Sequence, residues 1–128
     1  MIDAPVKYRL EWDDDHGAIF FEKIGFWSKE DSIACMSKFT PLLERSRERN
    51  GSALLLIDAT KTTVQSTDYM STSKDLSMKT MRPGDRLAIV VASSLIKMQL
   101  NRIGSEYLTY NFFLSRSAAE TWLFAHQS

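Results

Sequence analysis

Several things are scarce in this sequence, and each scarcity excludes something. There is one cysteine, Cys35, in 128 residues, so no internal disulfide holds the chain and a packed core must. Cys35 falls in a helical pattern, where it reads as a small buried hydrophobe in a reducing compartment. Three prolines and five glycines are too few for a linker or a low-complexity segment. Sixteen basic and sixteen acidic residues cancel, which removes the cationic footprint of a nucleic-acid binder. No apolar run approaches the ~20 residues that cross a bilayer. Met1 to Trp12 carries Asp3, Lys7, Arg9 and Glu11 and has no apolar core for a signal peptide, so the expected protein is soluble and cytoplasmic.

Catalytic motifs are scarce too. The sequence has no paired-cysteine or His-x-x-x-His metal spacing, no Gly-x-Ser-x-Gly elbow, no phosphate-cradling glycine loop and no dinucleotide fingerprint. His16 and His126 have no evident nucleophile to serve. Asp13-Asp14-Asp15 lacks the spaced ligands and distal glutamate of a calcium loop and reads as turn chemistry. No catalytic residue, metal site or cofactor is expected, and an enzyme is the least supported class.

What is present is an orderly alternation of elements. Val6, Tyr8, Leu10 and Trp12 alternate with Lys7, Arg9 and Glu11, as in a strand with one buried face. Asp13 to Gly17 is a turn, and Ala18 to Ile24 returns as the second strand of a hairpin. Ser28 caps a helix with Glu30 and Asp31 in its first turn and Ile33, Met36, Phe39 and Leu43 along one stripe. Pro41 either kinks this helix or restarts it with Thr40 as cap, Glu44 to Arg49 is a solvated last turn, and Asn50-Gly51 stops it. Ala53–Asp58 and Arg86–Ala92 are apolar without alternation, which is how strands covered on both faces read. The loop Ala59–Ser66 leads to a helix over about 68–79, and Arg82-Pro83-Gly84-Asp85 has type II turn chemistry. Ser94 caps a third helix with Ile96, Leu100, Ile103 and Tyr107 in one stripe. Thr109 to Leu114 is a last strand, and Ser115 caps a terminal helix in which Ser117 and Glu120 make a capping-box pair. Trp122 and Leu123 dock that helix on the sheet. Strands alternating with helices predict one α/β domain over 1–128. Its sheet is mixed, mostly parallel, of about five strands, with an N-terminal antiparallel hairpin and about four helices.

This order resembles the SpoIIAA-like family, relatives of the STAS domain and grouped with STAS/SEC14 domains. Three places carry the likeness: Gly25-Phe26-Trp27-Ser28 after the hairpin, Leu56-Ile57-Asp58-Ala59-Thr60 at the central strand, and Phe113 to Leu123 with its phenylalanine, capping residue, alanine and Trp-Leu. The resemblance spans nearly the whole chain and implies a SpoIIAA-like, STAS-like fold and a non-enzymatic regulatory or protein-interaction module. STAS antagonists carry Asp-Ser-Ser-Gly soon after the central strand, one serine being phosphorylated by a partner kinase. Read without gaps from Asp58, this chain has Ser66, Thr67, Asp68 and Tyr69 there. Thr67 keeps a hydroxyl but stands beside the regulated position, which Asp68 fills, and the glycine is missing; the likeness carries the fold rather than the phosphorylation switch.

In open α/β sheets, ligands meet the protein where strands end and helices begin. The candidate binding loop is therefore Asp58, Thr60, Thr63, Ser66, Thr67, Asp68, Ser93 and Ser94. Asp58 either accepts backbone N–H groups from the Lys61–Val64 loop or a neighbouring helix start, or orients a ligand. The hydroxyls at Ser66–Thr67, Ser93–Ser94 and Ser115 cap helices, and their shared edge suits an anion. Met70, Met78, Met81 and Met98 either fill core gaps or line an apolar groove. Two functions follow: a module whose partner is a protein, or a carrier of a small apolar ligand or lipid, as the SEC14 side of the resemblance suggests. The unprotected hairpin edge, or a helix face, leaves a homodimer open.

Overall fold

The computed structural model describes residues 7–62, 75, 79–93 and 109–125. Strands β1 (Tyr8–Asp13) and β2 (Ala18–Gly25) form the hairpin. Helix α1 (Lys29–Asn50) follows, then β3 (Leu54–Thr62), β4 (Arg86–Val90), β5 (Thr109–Phe113) and helix α2 (Arg116–Phe124). The sheet order is β1-β2-β3-β4-β5. The β1–β2 pair is antiparallel and β2 to β5 are mutually parallel.

Register sorts the side chains onto two faces. Ile19, Leu55, Leu87 and Tyr110 lie in one row across the sheet, as do Phe21, Ile57, Ile89 and Phe112. α1 covers the β2–β3 part of this face with Cys35, Phe39 and Leu43. On the other face Ala18, Leu54, Leu56, Ala88 and Val90 receive Ala119 and Leu123 of α2. Leu54 to Leu56 is buried throughout because helices lie on both sides, which is why the run shows no polar alternation.

α1 starts on a reciprocal cap. Ser28 Oγ accepts from Asp31 N (3.2 Å), and the Asp31 carboxylate accepts from Ser28 N (2.9 Å). Gly51, at φ +83°, ends it in the left-handed region and donates to Arg47 O (2.7 Å). Gly84, at φ +96°, supplies the positive φ of the type II turn, closed by Asp85 N donating to Arg82 O (3.1 Å).

The structure corrects several expectations. Pro41 lies inside one continuous helix, so Thr40 is no cap; its hydroxyl donates to Met36 O (2.9 Å). The buried stripe is Ser32, Cys35, Phe39, Leu43 and Ser46, while Ile33 faces solvent. The two serines displace the expected apolar position because the inward-facing Ser46 has partners: it donates to Gly17 O (2.7 Å) and accepts from Leu54 N (3.0 Å). The last turn is not wholly solvated, since Arg47 ion-pairs with Asp85. β3 runs on to Thr62, so Ala59–Thr62 is strand rather than loop. Ser115 caps α2 by accepting from Ala118 N (3.2 Å); the Ser117–Glu120 box does not form, because Glu120 pairs with Arg116 (2.8 Å). Trp122 is only partly buried and stacks under the Arg86 guanidinium at 4.3 Å. Among the described residues there are two long helices. Asp75, Lys79 and Thr80 are helical; the rest of the expected helix at 68–79, and the helix after Ser94, lie outside the described residues.

Candidate functional site

Parallel strands all finish on one side, so β2, β3, β4 and β5 share a carboxyl rim. On it stand Phe26 after β2, Asp58 to Thr62 in β3, Ala92 and Ser93 after β4, and Leu114 and Ser115 after β5. The first turn of α1 begins at the same rim.

Asp58 organises the middle of it. Its Oδ1 accepts from Thr60 N (2.9 Å) and from the Thr60 hydroxyl (2.6 Å), a side-chain turn two residues long. The sheet register slips at this point: Glu22 faces Asp58, but Ile24 faces Lys61, so β3 carries one extra residue. An extra residue bends and twists a strand locally. Thr60 is thereby exposed, and the Thr62 hydroxyl turns back to donate to Ala59 O (2.7 Å). Asp58 therefore does accept a backbone N–H, from Thr60; Thr63 and Val64 of the expected Lys61–Val64 loop lie outside the described residues.

Charge beside Asp58 is arranged around Glu22, its cross-strand neighbour. Lys61 Nζ lies 3.3 Å from Glu22 Oε2 and Arg9 Nε 3.8 Å from Oε1. Glu22 is largely buried, and Oε1 accepts no hydrogen bond. At the α1 end of the rim, Lys7 Nζ donates to Asp31 Oδ2 (2.7 Å) and reaches Phe26 O (3.4 Å). The Lys7 hydrogen bond is the main reason the Asp31 carboxyl sits below its ordinary pKa, helped by the Ser28 amide.

Of the other predicted positions, Ser93 is half-buried beside β4, and Thr63, Ser66, Thr67, Asp68 and Ser94 lie outside the described residues. So do Met70, Met78 and Met98. Met81 is half-buried against the α1-side core and, with Met36, Phe39 and Leu87, lines a cavity of about 110 Å³. Sequence reasoning missed the rim's apolar exposure: among the described residues the exposed large apolar side chains are Phe26 (52%), Ile33 (56%) and Leu114 (64%). The signal was there in Phe26, which precedes the Ser28 cap outside any periodic stripe. It also missed an Asp13–His16 pair, 2.9 Å apart, with the imidazole stacked on Phe124 at 3.9 Å. Among the described residues no group of three acidic, histidine or cysteine side chains is placed to hold a metal.

No family model and no curated protein matches the sequence. Among solved structures, the chain is similar to an uncharacterized protein of the DUF3478 family with a SpoIIAA-like fold from Shewanella loihica PV-4. The TM-score is 0.64 at 20% identity, over 96% of this chain and 99% of that one. The chain has a SpoIIAA-like fold. The likeness runs through the hairpin, the parallel strands and the closing helix, since nearly all of both chains is covered. At this identity the SpoIIAA-like fold fixes the architecture and the position of the rim, and leaves the rim's chemistry to this chain's own residues. No described helix is long and apolar enough to cross a membrane.

Proposed function

We propose that this chain is a non-enzymatic, STAS-like interaction module of the cytoplasm, which meets a regulatory protein partner at the carboxyl rim of its parallel strands. One observation supports this above the others. Phe26, Ile33 and Leu114 are each more than half exposed; Phe26 and Leu114 follow strand ends at that rim, and Ile33 lies in the second turn of α1, which starts there. β2 and β5 are three strand spacings apart, so Phe26 and Leu114 are separated by about 14 Å across the sheet and about three residues along it, within the span of one interface. Covering a side chain of this size contributes roughly 1.5–3 kcal/mol. Between them Thr60 and Ser93 offer polar groups that would set register. With Asp68 where the resemblance has its regulated serine, the negative charge is permanent, and the reading needs no phosphate at Thr67.

The test is quantitative capture of partners from cells that express the chain, comparing wild type with Thr60→Ala, Thr63→Ala and Ser66→Ala. The proposal expects unchanged melting temperatures and at least a ten-fold loss of a specific partner. Loss of folding in these variants would make the loop scaffold rather than surface.

A second reading, a carrier of a small apolar ligand, is favoured by the cavity at Met36 and Met81. Its volume, about 110 Å³, is below the ~300 Å³ where ligand pockets begin and smaller than the ~150 Å³ cavity that admits benzene. It suits one short apolar group rather than a whole lipid. Native mass spectrometry of freshly purified protein distinguishes the readings. A ligand-free mass with no thermal shift across a panel of lipids and small aromatics goes against the carrier.

A further inference from the structure

We infer that β1 is a self-complementary edge through which two copies of this chain join in a two-fold, continuous ten-stranded sheet. β1 ends the sheet, and among the described residues no strand pairs with its outer side. Ile24 N donates to Lys7 O (2.8 Å), which fixes the hydrogen-bonding phase of the hairpin. Lys7, Arg9 and Glu11 turn their peptide groups toward β2, and Tyr8, Leu10 and Trp12 turn theirs outward. Those outward groups form a template for an antiparallel strand.

The side chains choose which strand. Tyr8-Arg9-Leu10-Glu11-Trp12 is symmetric about Leu10 in chemical type and antisymmetric in charge. A two-fold axis at Leu10 sets Leu10 opposite its own copy and Tyr8 opposite Trp12 of the second copy. It sets Arg9 opposite Glu11 of the second copy, twice over. Both charged residues are exposed on the same face, and the aromatic ones lie together on the other. Cross-strand pairs of opposite charge and of two aromatic rings both stabilise sheets. Neighbouring registers fail on charge. An axis at Arg9 or at Glu11 sets like charges face to face, one at Tyr8 opposes Lys7 to Arg9, and one at Trp12 opposes Glu11 to Asp13.

Space permits the pairing. α1 lies over β2 and β3, about two strand spacings from the axis, so the two α1 helices stand about 20 Å apart. Packed helices approach to about 8–10 Å, so the two α1 helices do not collide. The valley between them is floored by Tyr8, Leu10 and Trp12 of both copies, with Lys38 and Arg45 already over the Tyr8 and Trp12 rings. The two carboxyl rims point in opposite directions in such a dimer, which makes it bivalent.

Sedimentation of the full chain at low salt tests this. The wild type is expected to show reversible association to twice the protomer mass. Glu11→Arg and Arg9→Glu should each weaken self-association at least ten-fold. Mixed one to one, they should pair with each other, because each supplies the charge the other lacks. Leu10→Pro, which removes an outward-facing N–H and no bond to β2, should also be monomeric and guards against misfolding of Arg9→Glu beside Glu22. A wild type that is monomeric up to millimolar concentration overturns the inference. So does a dimer indifferent to Glu11→Arg and Leu10→Pro.

Discussion

Arg47 of α1 grips Asp85 of the turn before β4 with two bonds, Nη2 to Oδ2 at 2.7 Å and Nε to Oδ1 at 3.3 Å. Asp85 is almost wholly buried. Its carboxylate also accepts from Ala53 N (2.8 Å) and Arg82 N (2.8 Å), so one side chain ties α1, the start of β3 and the entry to β4 together. Arg47 in turn donates to Thr80 O (2.9 Å).

This pair predicts an acid transition. Burial pushes the Asp85 carboxyl up, but the Arg47 hydrogen bond and the Ala53 and Arg82 amides outweigh it, and the group ends below its ordinary value. A carboxyl lowered in the folded state contributes stability above the unfolded pKa of about 3.9, and loses it as pH falls through the folded value. Denaturant unfolding of the wild type should be flat near neutrality and weaken below about pH 4. Asp85→Asn should cost about 1–3 kcal/mol at pH 7 and flatten that acid limb, because it weakens the charge-assisted bonds of a buried side chain while Glu44, 2.9 Å from Arg47 Nη1, still balances the guanidinium.

Ser46 predicts a polar defect in the core. It is fully buried, donates to Gly17 O and is the acceptor for Leu54 N. Ser46→Ala strands the Leu54 amide, while Gly17 O keeps its bond from Asn50 Nδ2 (2.9 Å), and should cost about 1–3 kcal/mol by urea titration. Ser32→Ala, on the same buried stripe, should cost less, which differential unfolding measures directly.

Cys35 predicts an inert thiol. Burial is the main cause that pushes its pKa above the usual value, outweighing Lys23 and Lys38 nearby. The thiolate is the reactive form, so labelling with a thiol reagent at pH 8 should be far slower than for a free cysteine and should follow the unfolding equilibrium. Rapid labelling of the native protein would contradict the packing of α1.

Asp58 predicts a local rather than a global effect. Its carboxylate holds the Thr60 amide and hydroxyl at the register slip. Asp58→Asn keeps an acceptor oxygen and should change stability by less than about 0.5 kcal/mol. Asp58→Ala should cost about 1 kcal/mol, with amide exchange rising at Thr60 and Lys61 before it rises elsewhere in β3.

Much of the fold was legible because its elements obey one period at a time. Tyr8, Leu10 and Trp12 alternate, and Leu54 to Ile57 does not, which together separate a hairpin edge from a strand covered on both faces. Thr60 and Thr62 read as loop residues because small hydroxyl side chains favour turns, yet the Asp58 side chain satisfies that turn within the strand and pairing with β2 resumes at Lys61. Ile33 reads as core because it is apolar at a helical interval, whereas the buried stripe carries Ser32 and Ser46, the latter held there by hydrogen bonds to Gly17 and Leu54. Arg47 and Asp85 are far apart in sequence, so no local pattern could reveal their pairing. The exposed rim was legible only as a place; which of its residues are uncovered depends on where α1 and α2 end.

The most direct measurement is photocrosslinking in living cells from a photoreactive residue at Phe26 or Leu114, against a control at Glu48 on the exposed last turn of α1, at the opposite edge of the sheet. The account predicts discrete crosslinked partners from both rim positions and none from Glu48. Partners crosslinking from Glu48 while Phe26 and Leu114 stay silent would contradict it.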